Sequence, residues 1–151
     1  MPKRAIQLFA VVLALFTGLS AGAAGAVELK VLSTEAMRPT LQELGPAFEA
    51  ASGNKLVIAY APDADIEKKV ASDETIDIAI LTKPGADKLV KNARIVGGTA
   101  EVLAKGPSPD VVYVVGASFA CEQPLAAKAL IDFLIGPAGK KVIQAKGLQT
   151  S

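Results

Sequence analysis

Three times between Glu28 and Asn92, a short strand-like run, alternating or largely apolar, gives way to residues that read as a helix. The runs are Glu28–Ser33, Lys55–Tyr60 and Ile76–Leu81, and each is followed within a few residues by helix-opening chemistry. After Ser33-Thr34, the residues Met37, Leu41, Leu44 and Phe48 recur at three- and four-residue steps, which predicts a helix. Ser33 or Thr34 is the expected N-cap, with Glu35 in the first turn. Pro46 predicts a kink or a break after Gly45, and Ser52-Gly53-Asn54 closes the helix. A second, short helix is expected from Asp63 to Ser72 with Asp63 as its cap, and a third from Thr82-Lys83-Pro84 to about Asn92. Strand and helix alternating with short connections require a parallel sheet wrapped by right-handed crossovers. The third strand is almost wholly apolar, as a strand buried on both faces must be.

Beyond Asn92 the pattern loosens. Ile95-Val96 and Thr99–Ala104 read as short strands around Gly97-Gly98, and Gly106-Pro-Ser-Pro109 is a loop. Val111–Val115 is a core strand. Pro124 opens an amphipathic helix ending at Gly136, and a last helix runs from Pro137 to Lys146 and stops at Gly147.

The first 26 residues have the zones of a secretory signal. Lys3 and Arg4 precede an apolar stretch from Ala5 to Phe16, and small residues lead to Ala24-Gly25-Ala26, which predicts cleavage after Ala26. The apolar stretch is well short of the roughly 20 residues a membrane span needs. The remaining 27–151 segment is sized for one domain. With Lys3 and Arg4 in the leader, 14 basic residues face 15 acidic ones, a balance that argues against a nucleic-acid partner. The sequence has no histidine, which removes the commonest general base and the commonest metal ligand. Neither a catalytic residue, a metal site nor a cofactor is expected. Cys121 is the single cysteine and reads as a small buried hydrophobe.

Residues 31–53 (V-L-S-T-E-A-M-R-P-T-L-Q-E-L-G-P-A-F-E-A-A-S-G) and the D-I-A-I-L segment at 77–81 resemble the molybdate-binding-like periplasmic solute-binding proteins. Residues 112–151, from V-Y-V-V-G-A-S through Q-P-L-A-A-K-A-L-I-D-F-L-I-G-P-A-G-K-K-V-I-Q-A-K-G-L, resemble the same family's C-terminal return into its first lobe. The resemblance implies a three-layer α/β/α domain with a mostly parallel sheet, as in a type 2 periplasmic-binding-protein fold. Members of that family have two such lobes closing on a solute. Here Gly97 to Asp110 passes straight into the returning strand, so the expectation is a single lobe at 27–151 with the second lobe missing.

For function, the resemblance implies an exported, periplasmic or secreted domain. It would bind a small solute or ion, an oxyanion among the candidates, for an ABC-type membrane transporter. In that family, hydroxyls and backbone N–H groups at the ends of the first two strands hold the oxyanion, because helix N-termini present free donors and partial positive charge. Ser33 matches the first of these positions and Thr34 adjoins it. The second falls at Ala61-Pro62-Asp63-Ala64, where proline has no N–H to give and an ionised Asp63 accepts hydrogen bonds rather than donating them. Ser33, Thr34 and Asp63 are therefore the candidate ligand residues. Their alternative role, and that of Asp65, is helix capping. Tyr60 and Tyr113 are expected in the core or at its rim. A single lobe leaves one side of a solute wet, which makes a homodimer supplying the other wall a corollary. The alternative function is a degenerate, non-binding lobe that serves as an interaction module or is a relic.

Overall fold

The computed structural model describes residues 25–72 and 74–151. The expected leader at 1–26, apart from its last two residues, lies outside the described residues. The chain runs β1 (Glu28–Thr34), a 3-10 turn (Glu35–Met37), α1 (Arg38–Ser52), β2 (Lys55–Ala61), α2 (Asp63–Ala71), β3 (Ile78–Thr82) and α3 (Lys83–Lys91). A second 3-10 turn at Gly97–Thr99 then leads to β4 (Glu101–Lys105), β5 (Val112–Ala117), α4 (Pro124–Ile135) and α5 (Pro137–Ala145). No described helix is long and apolar enough to cross a membrane.

The five strands form one sheet in the order β2-β1-β3-β5-β4. β1 pairs in parallel with β2 and with β3, while β5 runs antiparallel to both β3 and β4. Four strands therefore point one way and only β5 returns. The expected mostly parallel sheet is present, and the first three crossovers place the C-terminal ends of β1, β2 and β3 along one edge.

Two apolar cores sandwich this sheet. On one face Leu29, Val31, Ile78, Ile80 and Val115 meet Leu41, Leu44 and Phe48 of α1, Leu130 and Leu134 of α4, and Ile143 of α5. On the other, Leu32, Ala79, Leu81 and Val114 meet Ile66 and Val70 of α2 and Leu89 of α3. β3 sends alternate side chains into each core, which is why its sequence lacks a polar face.

Three local expectations are corrected. Pro46 neither breaks nor ends α1, which runs through it to Ser52 and stops at Gly53 in the left-handed conformation (φ 73°). Pro46 lies on the exposed side, so the carbonyl it leaves unpaired can reach water. The preceding Gly45 has no Cβ to clash with the proline ring. The N-cap of α1 is Met37, because the 3-10 turn intervenes after Thr34. Ile95 forms only an isolated bridge with Ser118 instead of a strand with Val96.

Candidate functional site

The C-terminal edge of β1, β2 and β3 carries all three sequence-derived candidates. Thr34 ends β1 and pairs in register with Ala61, two residues before Asp63. Ser33 pairs with Ile80 of β3, two residues before Thr82. Topology thus brings together positions that are 30 and 49 residues apart in the chain.

Their environments differ. Ser33 is fully buried, and its Oγ donates to the Thr34 carbonyl at 3.1 Å. That bond fixes the turn out of β1. Thr34 is half-buried, has extended backbone and makes no side-chain capping bond. Asp63 is the first residue of α2 and not its cap, which is Pro62. Its carboxylate reaches to the end of β3, where Oδ2 accepts the Thr82 N–H at 3.0 Å and also the Thr82 hydroxyl. Because Pro62 and not Asp63 holds the cap position, the Asp63 carboxylate serves the neighbouring helix entry. It thereby ties the mouth of α2 to the mouth of α3.

Thr82 is the participant that a motif-based reading overlooks. Its signal was nonetheless present: a hydroxyl at a strand end, directly before Lys83-Pro84, repeats the Ser33-Thr34 arrangement. Tyr113, opposite Thr82 on β5, is buried, and burial raises its phenol above the usual range, with the Asp63 charge adding to the rise. Arg38 sits 4.1 Å above the Tyr60 ring and pairs with Glu35 at 2.7 Å. That hydrogen bond holds the Glu35 carboxyl below its ordinary value. Lys83 at the head of α3 pairs with Asp87 at 2.6 Å. Asp65 makes only a loose 3.9 Å contact with Lys68, out in solvent.

The edge therefore offers the Thr34 hydroxyl and the leading amides of two helices, Asp63 and Ala64 in α2 and Lys83 and Gly85 in α3, where Pro84 has no N–H, with one carboxylate already engaged in bridging those helices. Among the described residues, no group of histidine, cysteine and carboxylate side chains could hold a metal ion. A groove of about 510 Å³ between α2 and α3, lined by Glu67, Lys68, Lys88 and Arg94, lies along the helices and does not include the strand ends.

An open sheet whose strand ends meet helix N-termini is the architecture of proteins that take ligands at the carboxyl edge. With the β2-β1-β3-β5-β4 order and the returning β5, it defines the class as a solute-binding-protein lobe. Residues 29–118 match the profile of the bacterial extracellular solute-binding proteins, and the chain belongs to that family. Two solved structures share the fold. The substrate-binding domain of a putative molybdenum ABC transporter from Clostridium difficile superposes with a TM-score of 0.76 at 11% identity, covering 83% of this chain and 100% of that one. The periplasmic molybdate-binding protein of Azotobacter vinelandii gives 0.74 at 10% identity, covering 82% and 99%. Among curated proteins, an aconitate isomerase from a Pseudomonas species is 35% identical over 72 residues. That match takes in 44% of this chain and 28% of the isomerase's length.

Proposed function

We propose that residues 27–151, exported behind a leader cleaved after Ala26, act as a single lobe that holds a small oxyanion and presents it to a membrane transporter. The observation that carries this reading is the convergence of the β1, β2 and β3 ends, where Asp63 locks the entries of α2 and α3 side by side. Thr34 and the first-turn amides of those helices are the donors a tetrahedral anion needs. Ser33 acts from behind, through Thr34, and Asp63 sets the spacing through Thr82. The role assigned to the protein is solute binding, since what the edge gathers is hydrogen-bond donors at helix entries. Small-ligand sites bury roughly 70–90% of their ligand. The closing wall is therefore supplied from beyond the described residues, by a second copy, a transport partner or further chain.

A thermal melt with molybdate, tungstate and sulfate tests this reading. At a hundredfold excess over Kd, one-site binding adds about 2.7 kcal/mol to the native state, a clear upward shift in Tm. Asp63→Asn keeps an acceptor for Thr82 while removing the charge, and the anion-induced shift should grow. The isomerase match favours a second solute class, tricarboxylates, and aconitate belongs in the same screen. A folded protein that melts identically with every solute would leave the non-binding interaction module in place of the receptor.

A further inference from the structure

The two edges of the sheet are finished differently. Beside β4, the C-terminal tail folds back and Gln149 exchanges both backbone hydrogen bonds with Lys105, at 2.7 and 3.0 Å. Lys140 Nζ then holds the Ser151 carbonyl at 3.0 Å. Among the described residues, β2 at the opposite edge has no such cover. Lys55 donates toward β1, to the Val27 carbonyl at 2.9 Å, so by strand alternation Leu56, Ile58 and Tyr60 turn their N–H and C=O groups outward. Only the Leu56 N–H finds a partner there, Glu49 Oε1 at 2.8 Å. Among the described residues nothing reaches the outward groups of Ile58 or Tyr60.

β2 also lacks the usual edge protections. It has no proline and no bulge, and its one charge, Lys55, stands at the end. A hollow flanks it on each face, each with an apolar floor from β2 and charged or polar groups at its rim, Gln42 and Glu49 on one side and Lys30, Lys69 and Glu74 on the other. One of about 310 Å³ is bounded by Leu41, Gly45, Leu56, Ile58 and Tyr60, and another of about 170 Å³ includes Val57 and Ala59. Val57 is 49% exposed, unusual for a valine within a strand.

We infer that this edge pairs with the β2 edge of a second copy, antiparallel and centred on Ile58, giving one continuous sheet across a two-fold axis. The strand is self-complementary in that register. Ile58 faces Ile58 of the other copy, Leu56 faces Tyr60, and Val57 faces Ala59, so apolar residues meet on both faces. All outward backbone groups from Leu56 to Tyr60 find partners, and Leu56 trades Glu49 for the Tyr60 carbonyl of the second copy. Lys55 comes beside the acidic first turn of the second copy's α2, which carries Asp63 and Asp65. This charge match at both ends selects a second copy over an unrelated strand. Because the pairing is antiparallel, the two solute edges point in opposite directions, so this dimer does not supply the closing wall of either site and stands independently of the solute reading.

Sedimentation of the secreted chain over a range of concentrations, with amide hydrogen exchange, tests the inference. The mass should rise toward that of two chains, with the Ile58 and Tyr60 amides gaining protection in step. Val57→Lys, at an exposed position, should weaken association about tenfold by placing a charge in two symmetry-related contacts. Glu49→Ala should tighten it several-fold by leaving the Leu56 N–H without a competitor. A mass of one chain at every concentration overturns the inference and leaves the edge to a strand from another protein. A dimer indifferent to both substitutions, with Ile58 and Tyr60 exchanging freely, overturns it equally.

Discussion

At the residue scale, Asp77 ties distant segments together away from the candidate site. It is 2% exposed, and its two oxygens accept the Lys30 N–H at 2.8 Å and the Glu122 N–H at 2.9 Å. Its own carbonyl takes the Ser118 N–H. One carboxylate thus joins β1, β3 and the segment after β5. Asp77→Ala leaves two shielded donors unpaired and should cost about 3 kcal/mol in urea denaturation. Nearby, burial pushes the Cys121 thiol up from 9.0 to about 11, the Gln123 N–H pulling against it and the Asp77 and Glu122 carboxylates adding to the rise. Because the folded state retains this proton longer than the unfolded chain does, the contribution is intact below the ordinary thiol range and is lost as pH climbs toward about 11. Alkylation of Cys121 should be slow at mildly alkaline pH. Wild type should also lose more stability than Cys121→Ser as the solution is made strongly alkaline, a comparison that cancels the tyrosines.

At the element scale, α4 and α5 meet at a junction with no spare volume. A Cβ on Gly139 would lie 1.8 Å from the Leu134 carbonyl oxygen, so the start of α5 packs on the end of α4 through bare backbone. Gly139→Ala forces those helices apart and should destabilise by about 3 kcal/mol in chemical denaturation. Gly98→Ala, where a Cβ meets nothing within 4 Å, should stay within about 0.5 kcal/mol. Most element boundaries were readable from apolar periodicity, because each helix here is held by a single buried stripe. α1 shows the limit. Pro46 signals a break by its own chemistry, but Leu41, Leu44 and Phe48 are all buried against the sheet, and that packing outweighs one missing hydrogen bond on the solvent side.

At the scale of the molecule, the candidate residues meet because β1 lies between β2 and β3. That order sets Thr34 beside Ala61 and Ser33 beside Ile80, and lets Asp63 reach Thr82. β3 also contributes to both cores, so if a solute binds at its end as proposed, both faces are stabilised together and the shift in Tm should appear as one transition. The six residues from Gly106 to Val111 join β4 to β5 at this same end of the sheet, which keeps the site open on one side within the described domain.

The alternation of strand and helix, the double burial of β3, and the placing of Ser33, Thr34 and Asp63 at element ends are all legible in the residues. Periodicity, punctuation and chain order are local properties, and side chains carry them directly. That Asp63 serves the entry of α3, that Asp77 is a shared anchor, and that among the described residues β4 is covered while β2 is bare emerges only once the chain is folded. Each of these depends on which strands become neighbours, and hydrogen bonds between distant segments leave no periodic trace in the residues that make them.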